Sequence, residues 1–312
     1  MKVLVTGGAG FIGSHLTRAL IGENFEVVAL DNLSGGRLEN VTSEAKFIEA
    51  DVREANFAEI IEREGIDAIV HLAGQTMVDA SIKDPQNDAQ QNIVGIINVL
   101  EGARKSGAGR VIFSSSAASY GDVDLTELPI LESRALNPMS FYGLSKVTAE
   151  KYLALYNSLY GVNYVILRFA NVYGERQGDG GEGGVISIFT KKLASGEKIT
   201  IYGDGEQTRD FVYAGDIAKG IIAAIKTENV NTAYNLSGET ETSLRELVSI
   251  LSDIKGENII PNYEKARPGD IRRSALSAQK ALRGLSWRAN MKLEGGLRLT
   301  YDYFLQKANK KI

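Results

Sequence analysis

At 312 residues the chain is long enough to bury a large core, in one big domain or two smaller ones, and 44% apolar with 24% charged residues is ordinary for a soluble globular protein. With 35 basic and 39 acidic residues the net charge is -4, so no overall field draws the chain to nucleic acid or a membrane, and no local basic patch supplies one. The lack of cysteine excludes disulfides and thiol catalysis and suits a reducing cytoplasm, while two histidines, His15 and His71, are too few for a His-rich metal site or a Ser/His/Asp triad.

The N-terminal apolar stretch is too short for a signal peptide, and no later apolar run approaches the ~20 residues that span a bilayer. Residues 2–6 read instead as a buried strand, followed at once by Gly7-Gly8-Ala9-Gly10-Phe11-Ile12-Gly13 and a helix to about Ile21. Strand, glycine turn and helix together make a phosphate cradle: side chains are absent where backbone must approach a diphosphate, and the helix N-terminus presents free N–H groups. A glycine pattern alone is weak. The next strand, Phe25 to Leu30, strengthens it by ending in Asp31, eighteen residues past Gly13, where a carboxylate would hold a ribose 2'-hydroxyl and repel a 2'-phosphate. This favours NAD over NADP. Arg37 nearby reads as a solvated loop residue.

The alternation continues as a doubly wound parallel sheet requires. A short strand, Phe47 to Ala50, ends in Asp51-Val52; residues 54–64 have helical spacing; Asp67 to Leu72 is an apolar strand running into Ala73-Gly74; a long helix spans about Asp88 to Lys105; and Arg110 to Phe113 delivers Ser114 to Ser116 to the carboxyl edge, where ligands bind in open sheets. Residues 140–160 then predict a helix that makes Tyr142 and Lys146 neighbours on one face. Alone, such a pair is more often helix surface. Next to a hydroxyl cluster, an ammonium beside a phenol favours phenolate and offers a base near neutrality. Both long helices are apolar on more than one face, Ile93, Val94, Ile96, Ile97, Val99 and Leu100 in one and Leu144, Val147, Leu153, Leu155, Tyr156 and Leu159 in the other, which points to a partner subunit or deeper burial.

Asn163 to Phe169 is a further strand. After Asn171-Val172-Tyr173-Gly174 the rhythm breaks at the glycine-rich stretch 179–184, and the elements shorten and mix: helices near 185–195, 215–226, 242–254 and 276–284, strands near 199–202 and 232–236. The expected architecture is α/β: a Rossmann domain over residues 1–170 and a smaller mixed lobe over 171–312, with some later segments returning to the first domain.

Six separated motifs now stand in order: Thr6-Gly-Gly-Ala-Gly-Phe-Ile-Gly13, Asp31-Asn32-Leu33-Ser34, His71-Leu-Ala-Gly74, Ser114-Ser-Ser-Ala-Ala-Ser-Tyr-Gly121, Tyr142-Gly-Leu-Ser-Lys146 and Arg168-Phe-Ala-Asn-Val-Tyr-Gly174. Over nearly its whole length the chain resembles the extended short-chain dehydrogenase/reductase family, and within it the NAD-dependent nucleotide-sugar epimerases, the UDP-glucose 4-epimerases in particular. The resemblance implies catalysis by Ser116, Tyr142 and Lys146. It implies an NAD site made by Gly7, Gly10, Phe11, Ile12, Gly13, Asp31, Asn32, Asp51, Val52, Leu72, Ala73, Gly74, Asn92, Ser114, Tyr142 and Lys146, and a UDP-hexose site made by Ser116, Asn171, Arg209, Arg267, Asp270 and Ser274. Apart from the resemblance, the doubly apolar helices near 88–105 and 141–160 and the lack of cysteine lead to the expectation of a cytoplasmic homodimer joined through those helices. The reaction the resemblance implies is inversion at C4 of a UDP-hexose: a tyrosinate removes the O4 proton as hydride passes to NAD, and the 4-ketose rotates and takes the hydride back on its other face. An arginine's planar fork suits a diphosphate, although taken alone Arg209 and Arg267 would more often be surface or interface residues.

Two departures bear on the choice of reaction and sugar. Ala117 and Ala118 stand where dehydratases and decarboxylases of the family carry acids, and an elimination needs such an acid and base. Ser274 falls at the pocket-gating position, where a small residue leaves room for an N-acetyl group, so UDP-GlcNAc/UDP-GalNAc is expected beside UDP-glucose/UDP-galactose. Glu175 replaces a common proline. The alternatives are another nucleotide-sugar enzyme of the same scaffold, a UDP-glucuronate epimerase or 4,6-dehydratase, or an NAD(H)-sensing protein without catalysis, which the intact Ser116, Tyr142 and Lys146 count against.

Overall fold

The computed structural model describes residues 1–54, 56–178, 183–266 and 271–310. Six strands follow the expected alternation: β1 Lys2–Thr6, β2 Glu26–Asp31, β3 Lys46–Glu49, β4 Ala68–His71, β5 Arg110–Ser116 and β6 Tyr164–Phe169. Between them run helices α1 Phe11–Gly22, α2 Phe57–Glu64, α3 Val78–Lys83, α4 Pro85–Ala89, α5 Gly95–Ser106 and α6 Phe141–Tyr160. The predicted long helix is α4 and α5 joined through a π-turn at Gln90–Val94. Each central strand is a near-continuous apolar run because both faces of the sheet are covered. One face is closed by α1 and α8 (Ala214–Lys226), with Leu16, Leu20, Ile217 and Ile221 against Val3, Val5 and Val70; the other by α2, α5 and α6, with Ile61, Leu100 and Leu153 against Leu4, Ile69 and Val111.

The chain continues through β7 Asn171–Tyr173, α7 Val185–Ala194, β8 Thr200–Tyr202, β9 Thr208–Tyr213, α8, β10 Thr232–Leu236, β11 Glu241–Ser243, α9 Leu244–Lys255, β12 Asn262–Glu264, α10 Gln279–Leu285 and α11 Leu293–Asn309. β10 leaves the second half and pairs in parallel with β6, giving a seven-stranded parallel sheet of order β10-β6-β5-β4-β1-β2-β3. The order reverses between β1 and β4, the crevice where such sheets bind ligands. The rest of the second half holds two small sheets, β11-β9-β7 and β12-β8, around Tyr173, Phe189, Ile201, Leu247 and Tyr301. The fold is therefore a doubly wound Rossmann sheet with a smaller mixed C-terminal part. Among the described residues no helix is long and apolar enough to cross a membrane.

Candidate active site

The site begins where β1 meets α1. Gly7 turns the chain at φ +70°, and a Cβ on Gly13 would lie 2.1 Å from the Gly7 carbonyl oxygen. Only glycine allows this packing. Gly10 is the N-cap of α1, and no side chain caps it, so the first N–H groups are left for an anion.

A cavity of about 830 Å³ opens over this turn. Its wall gathers Gly7, Gly10, Phe11, Ile12 and Gly13; Asp31 and Asn32 from the end of β2; Asp51 and Val52 after β3; Leu72, Ala73 and Gly74 after β4; Ser114 and Ser116 from β5; and Tyr142 and Lys146 from α6. Asp31 accepts the N–H groups of Ala9 (3.0 Å) and Leu33 (2.8 Å), while burial pushes its carboxyl up and these bonds oppose the shift. At the same end Arg53 grips Asp51 with two bonds (2.8 and 2.6 Å) and holds that carboxyl well below the usual range.

Asn92 stands behind the wall rather than in it. Its Nδ2 donates to the Gln75 carbonyl (3.0 Å), Asp88 Oδ1 (3.1 Å) and Ser145 Oγ (3.2 Å), while its Oδ1 is buried without a partner against Gly74, whose Cβ would come within 2.4 Å of it. The π-turn supplies this placement, a distortion that recurs at functional sites. A glycine-lined cradle at a helix N-terminus, a carboxylate at the tip of β2 and an unsatisfied amide oxygen beside the channel fit a dinucleotide.

At the other end, α6 opens on Ser140, whose hydroxyl accepts the Gly143 N–H at 3.1 Å, and places Tyr142 and Lys146 one turn apart. The Ser116 hydroxyl accepts the Ala118 N–H at 3.2 Å and lies beside the Tyr142 phenol, close enough to oppose the rise of its pKa. Lys146 is buried, donates to the Ser114 carbonyl at 2.9 Å, and sits 4.9 Å from the Phe113 ring centroid and 5.7 Å from that of Tyr142. The expected lowering of the phenol is absent from the free chain: burial pushes Tyr142 up, Ser116 opposes, and Asp88 adds to the rise. Burial likewise pushes Lys146 down to about 8, against the pull of Asp88 and Glu150. The physical reason is order of titration: with its bond to the Ser114 carbonyl, the buried ammonium still loses its proton before the buried phenol does. Below it His71, bonded to Thr6 Oγ1 at 2.8 Å, is pushed down to about 3 by burial and by Lys146, and so is neutral.

The substrate residues named from sequence are partly gathered. Asn171 is exposed on β7, between the cavity-lining Ala170 and Val172. Arg209, on the neighbouring β9, donates to the Thr208 (2.8 Å) and Ile271 (2.7 Å) carbonyls, which brings it to the segment that carries Ser274. Both stand off the cavity wall, and Arg267 and Asp270 lie outside the described residues.

Sequence reasoning missed three groups. Asp88 shares the i, i+4 spacing with Asn92 that Tyr142 shares with Lys146, a legible signal. Glu150, two turns past Tyr142, forms a buried fork with Arg168 (3.0 and 2.6 Å) and accepts Ser115 Oγ at 2.6 Å, fixing α6 to β5 and β6 beneath the reacting groups. Arg176 and Gln177, directly after the Asn-Val-Tyr-Gly motif, line the cavity.

Comparison with known proteins agrees with this geometry. A model of the NAD dependent epimerase/dehydratase family matches residues 3–237. The putative UDP-glucose 4-epimerase of Methanocaldococcus jannaschii is 43% identical over 305 residues, covering 96% of this chain and 97% of the relative. The crystal structure of UDP-glucose 4-epimerase with UDP-glucose from Thermotoga maritima superposes with a TM-score of 0.92 at 39% identity, over 98% of this chain and 99% of that one. The UDP-N-acetylglucosamine 4-epimerase of Methanobrevibacter ruminantium M1, in complex with UDP-N-acetylmuramic acid, gives 0.92 at 35% identity over 98% of each chain. The chain belongs to the NAD dependent epimerase/dehydratase family.

Proposed function

We propose that the protein is an NAD-dependent UDP-hexose 4-epimerase that interconverts UDP-glucose and UDP-galactose. One observation carries this reading: Ser116, Tyr142 and Lys146 line the same cavity as the glycine turn that heads α1. The turn, Asp31, Asp51 and Gly74 hold the dinucleotide, and Asn92 supports the wall beside it. NAD held there would supply a reversible hydride acceptor for the sugar C4. The Tyr142 oxygen takes the proton from O4 and gives it back to the epimeric alkoxide. Ser116, beside that phenol, orients O4. Lys146, fixed by the Ser114 carbonyl, holds the nicotinamide ribose and favours the charged phenolate. Asn171, Arg209, Arg267 and Asp270 hold the UDP portion while the sugar turns.

The small Ser274 supports acceptance of UDP-GlcNAc and UDP-GalNAc as well. Leu144, Leu155, Leu159 and Tyr160 remain exposed along α6, and with the half-buried Ile93, Val94 and Ile97 they support a homodimer through these helices. The cysteine-free sequence suits the cytoplasm.

The test is to denature the purified protein, identify the nucleotide it releases, and incubate fresh enzyme with UDP-hexoses. NAD and a product of unchanged mass inverted at C4 are expected. A product that has lost water, or no turnover by NAD-loaded enzyme, contradicts the assignment.

A further inference from the structure

One cation in the cavity has no task in the reaction described above. Arg176 takes the left-handed backbone region at φ +69°, a strained conformation for a non-glycine residue that persists only where the surroundings enforce it. The turn directs two consecutive charged side chains apart. Glu175 leaves the cavity, and its carboxylate accepts the Tyr213 hydroxyl at 2.8 and 3.1 Å. Arg176 enters the cavity, and its Nε donates to Ser14 Oγ at 2.7 Å, which presses the guanidinium against the first turn of α1. Ser14 is fully buried and its hydroxyl donates in turn to the Phe11 carbonyl at 2.7 Å, so the anchor does not swing.

The electrostatics there are unbalanced. Among the described residues no carboxylate lies within ion-pair distance of Arg176. Its charged neighbour on α1 is another cation, Arg18, which donates to the Ser14 carbonyl at 2.7 Å. The adjacent His15 is pushed down to about 4 by burial and by Arg176, and is therefore neutral. Two guanidinium groups and the positive end of a helix thus meet beside a glycine turn; the nearby carboxylates are Glu44, which faces Arg18, and Glu175, which lies 3.8 Å from His15 and is bonded to Tyr213. A planar fork in that position matches a diphosphate, which it can bind through two parallel N–H donors.

We propose that Arg176 is a diphosphate clamp for the dinucleotide: its guanidinium, held against the first turn of α1, meets the two phosphates beside the glycine turn, and Glu175 with Tyr213 fixes the turn that aims it. The clamp joins the segment after β7 to the cofactor held by β1 and α1, so it favours retention of NAD between turnovers. The proposal rests on the reading of this cavity as an NAD site.

The test is calorimetric titration of nucleotide-stripped wild type and of R176M and R176K with ADP, adenosine and NAD. R176M is expected to weaken ADP and NAD by about tenfold or more while leaving adenosine within about twofold, and R176K to recover part of the loss. Unchanged adenosine binding reports an intact fold. Wild type and R176M that bind ADP equally overturn the clamp alone. Loss of adenosine and ADP in equal measure overturns it too, since the arginine would then be a structural support. Wild type that binds neither NAD nor ADP overturns the cofactor reading, and the clamp with it.

Discussion

The Lys146 ammonium donates to the carbonyl oxygen of Ser114 at 2.9 Å, not to the phenol of Tyr142 one helical turn away. The two side chains share a face of α6, yet in the free chain the tyrosine is pushed up by burial. On the proposed reading, activation would belong to the loaded enzyme, in which an oxidised nicotinamide would add positive charge to the cavity. Ultraviolet titration of the protein without nucleotide, minus that of Tyr142→Phe to remove the other twelve of its 13 tyrosines, is expected to place this phenol above its ordinary pKa of about 10. The same difference titration with NAD bound is expected to move it down. A phenol that titrates near neutrality without NAD would show that the lysine alone activates it.

Lys146 carries a stability cost. Its folded pKa of about 8 lies below the ordinary lysine value of 10.5, so between those limits the unfolded chain binds more protons than the folded one, and stability rises with pH across that window. Below it the buried charge is a liability. Lys146→Met is expected to stabilise the fold at pH 7 by on the order of 1–3 kcal/mol, the lost bond to Ser114 offsetting part of the gain. Urea unfolding should show the difference shrinking from pH 8 toward 10.5, with turnover lost throughout.

At the glycine turn the prediction is steric. The Cβ of Gly13→Ala would meet the Gly7 carbonyl oxygen at 2.1 Å, and backbone cannot yield as a side chain tip can. Purified Gly13→Ala should carry little or no NAD. Gly22→Ala, at the other end of α1 with nothing within 4 Å of its Cβ, should retain it and be as stable as wild type or slightly more so.

Beneath the reacting groups, Arg168→Met would leave the Glu150 carboxylate buried against Ser115 without its guanidinium partner. Breaking one side of a buried pair costs roughly 3–5 kcal/mol, a fall in Tm of about 10 °C at this size. Glu150→Gln in the same chain removes the stranded charge, and the double variant is expected to recover part of the loss. A single variant as stable as wild type would show that the pair does not anchor α6.

What the sequence discloses is local. The strand, glycine turn and helix at residues 2–22, the acid at the tip of β2 and the Tyr142–Lys146 spacing are each set by neighbours within a few residues, and all lie where periodicity and turn chemistry put them. The return of β10 to the main sheet depends on pairing with β6, far away in sequence, and its apolar run reads equally well as part of the second lobe. The strands β7 and β11 have three residues each, too short for any period. The helix α11 is not among the elements read from the sequence; a Cβ on its Gly296 would come within 2.2 Å of the Tyr173 hydroxyl, so the glycine permits close packing rather than a turn. The orientation of Lys146, the unsatisfied Asn92 oxygen and the Glu150–Arg168 fork are tertiary facts that spacing alone does not encode.

The central claim is that one carbon of the sugar gives up a hydride and takes the same hydride back on its other face. It is tested most directly by incubating the NAD-loaded enzyme with UDP-glucose deuterated at C4 and following the product by NMR. Formation of UDP-galactose with the deuterium still at C4 is the predicted result. Exchange of the label with solvent, inversion at another carbon, or a dehydrated product would contradict it.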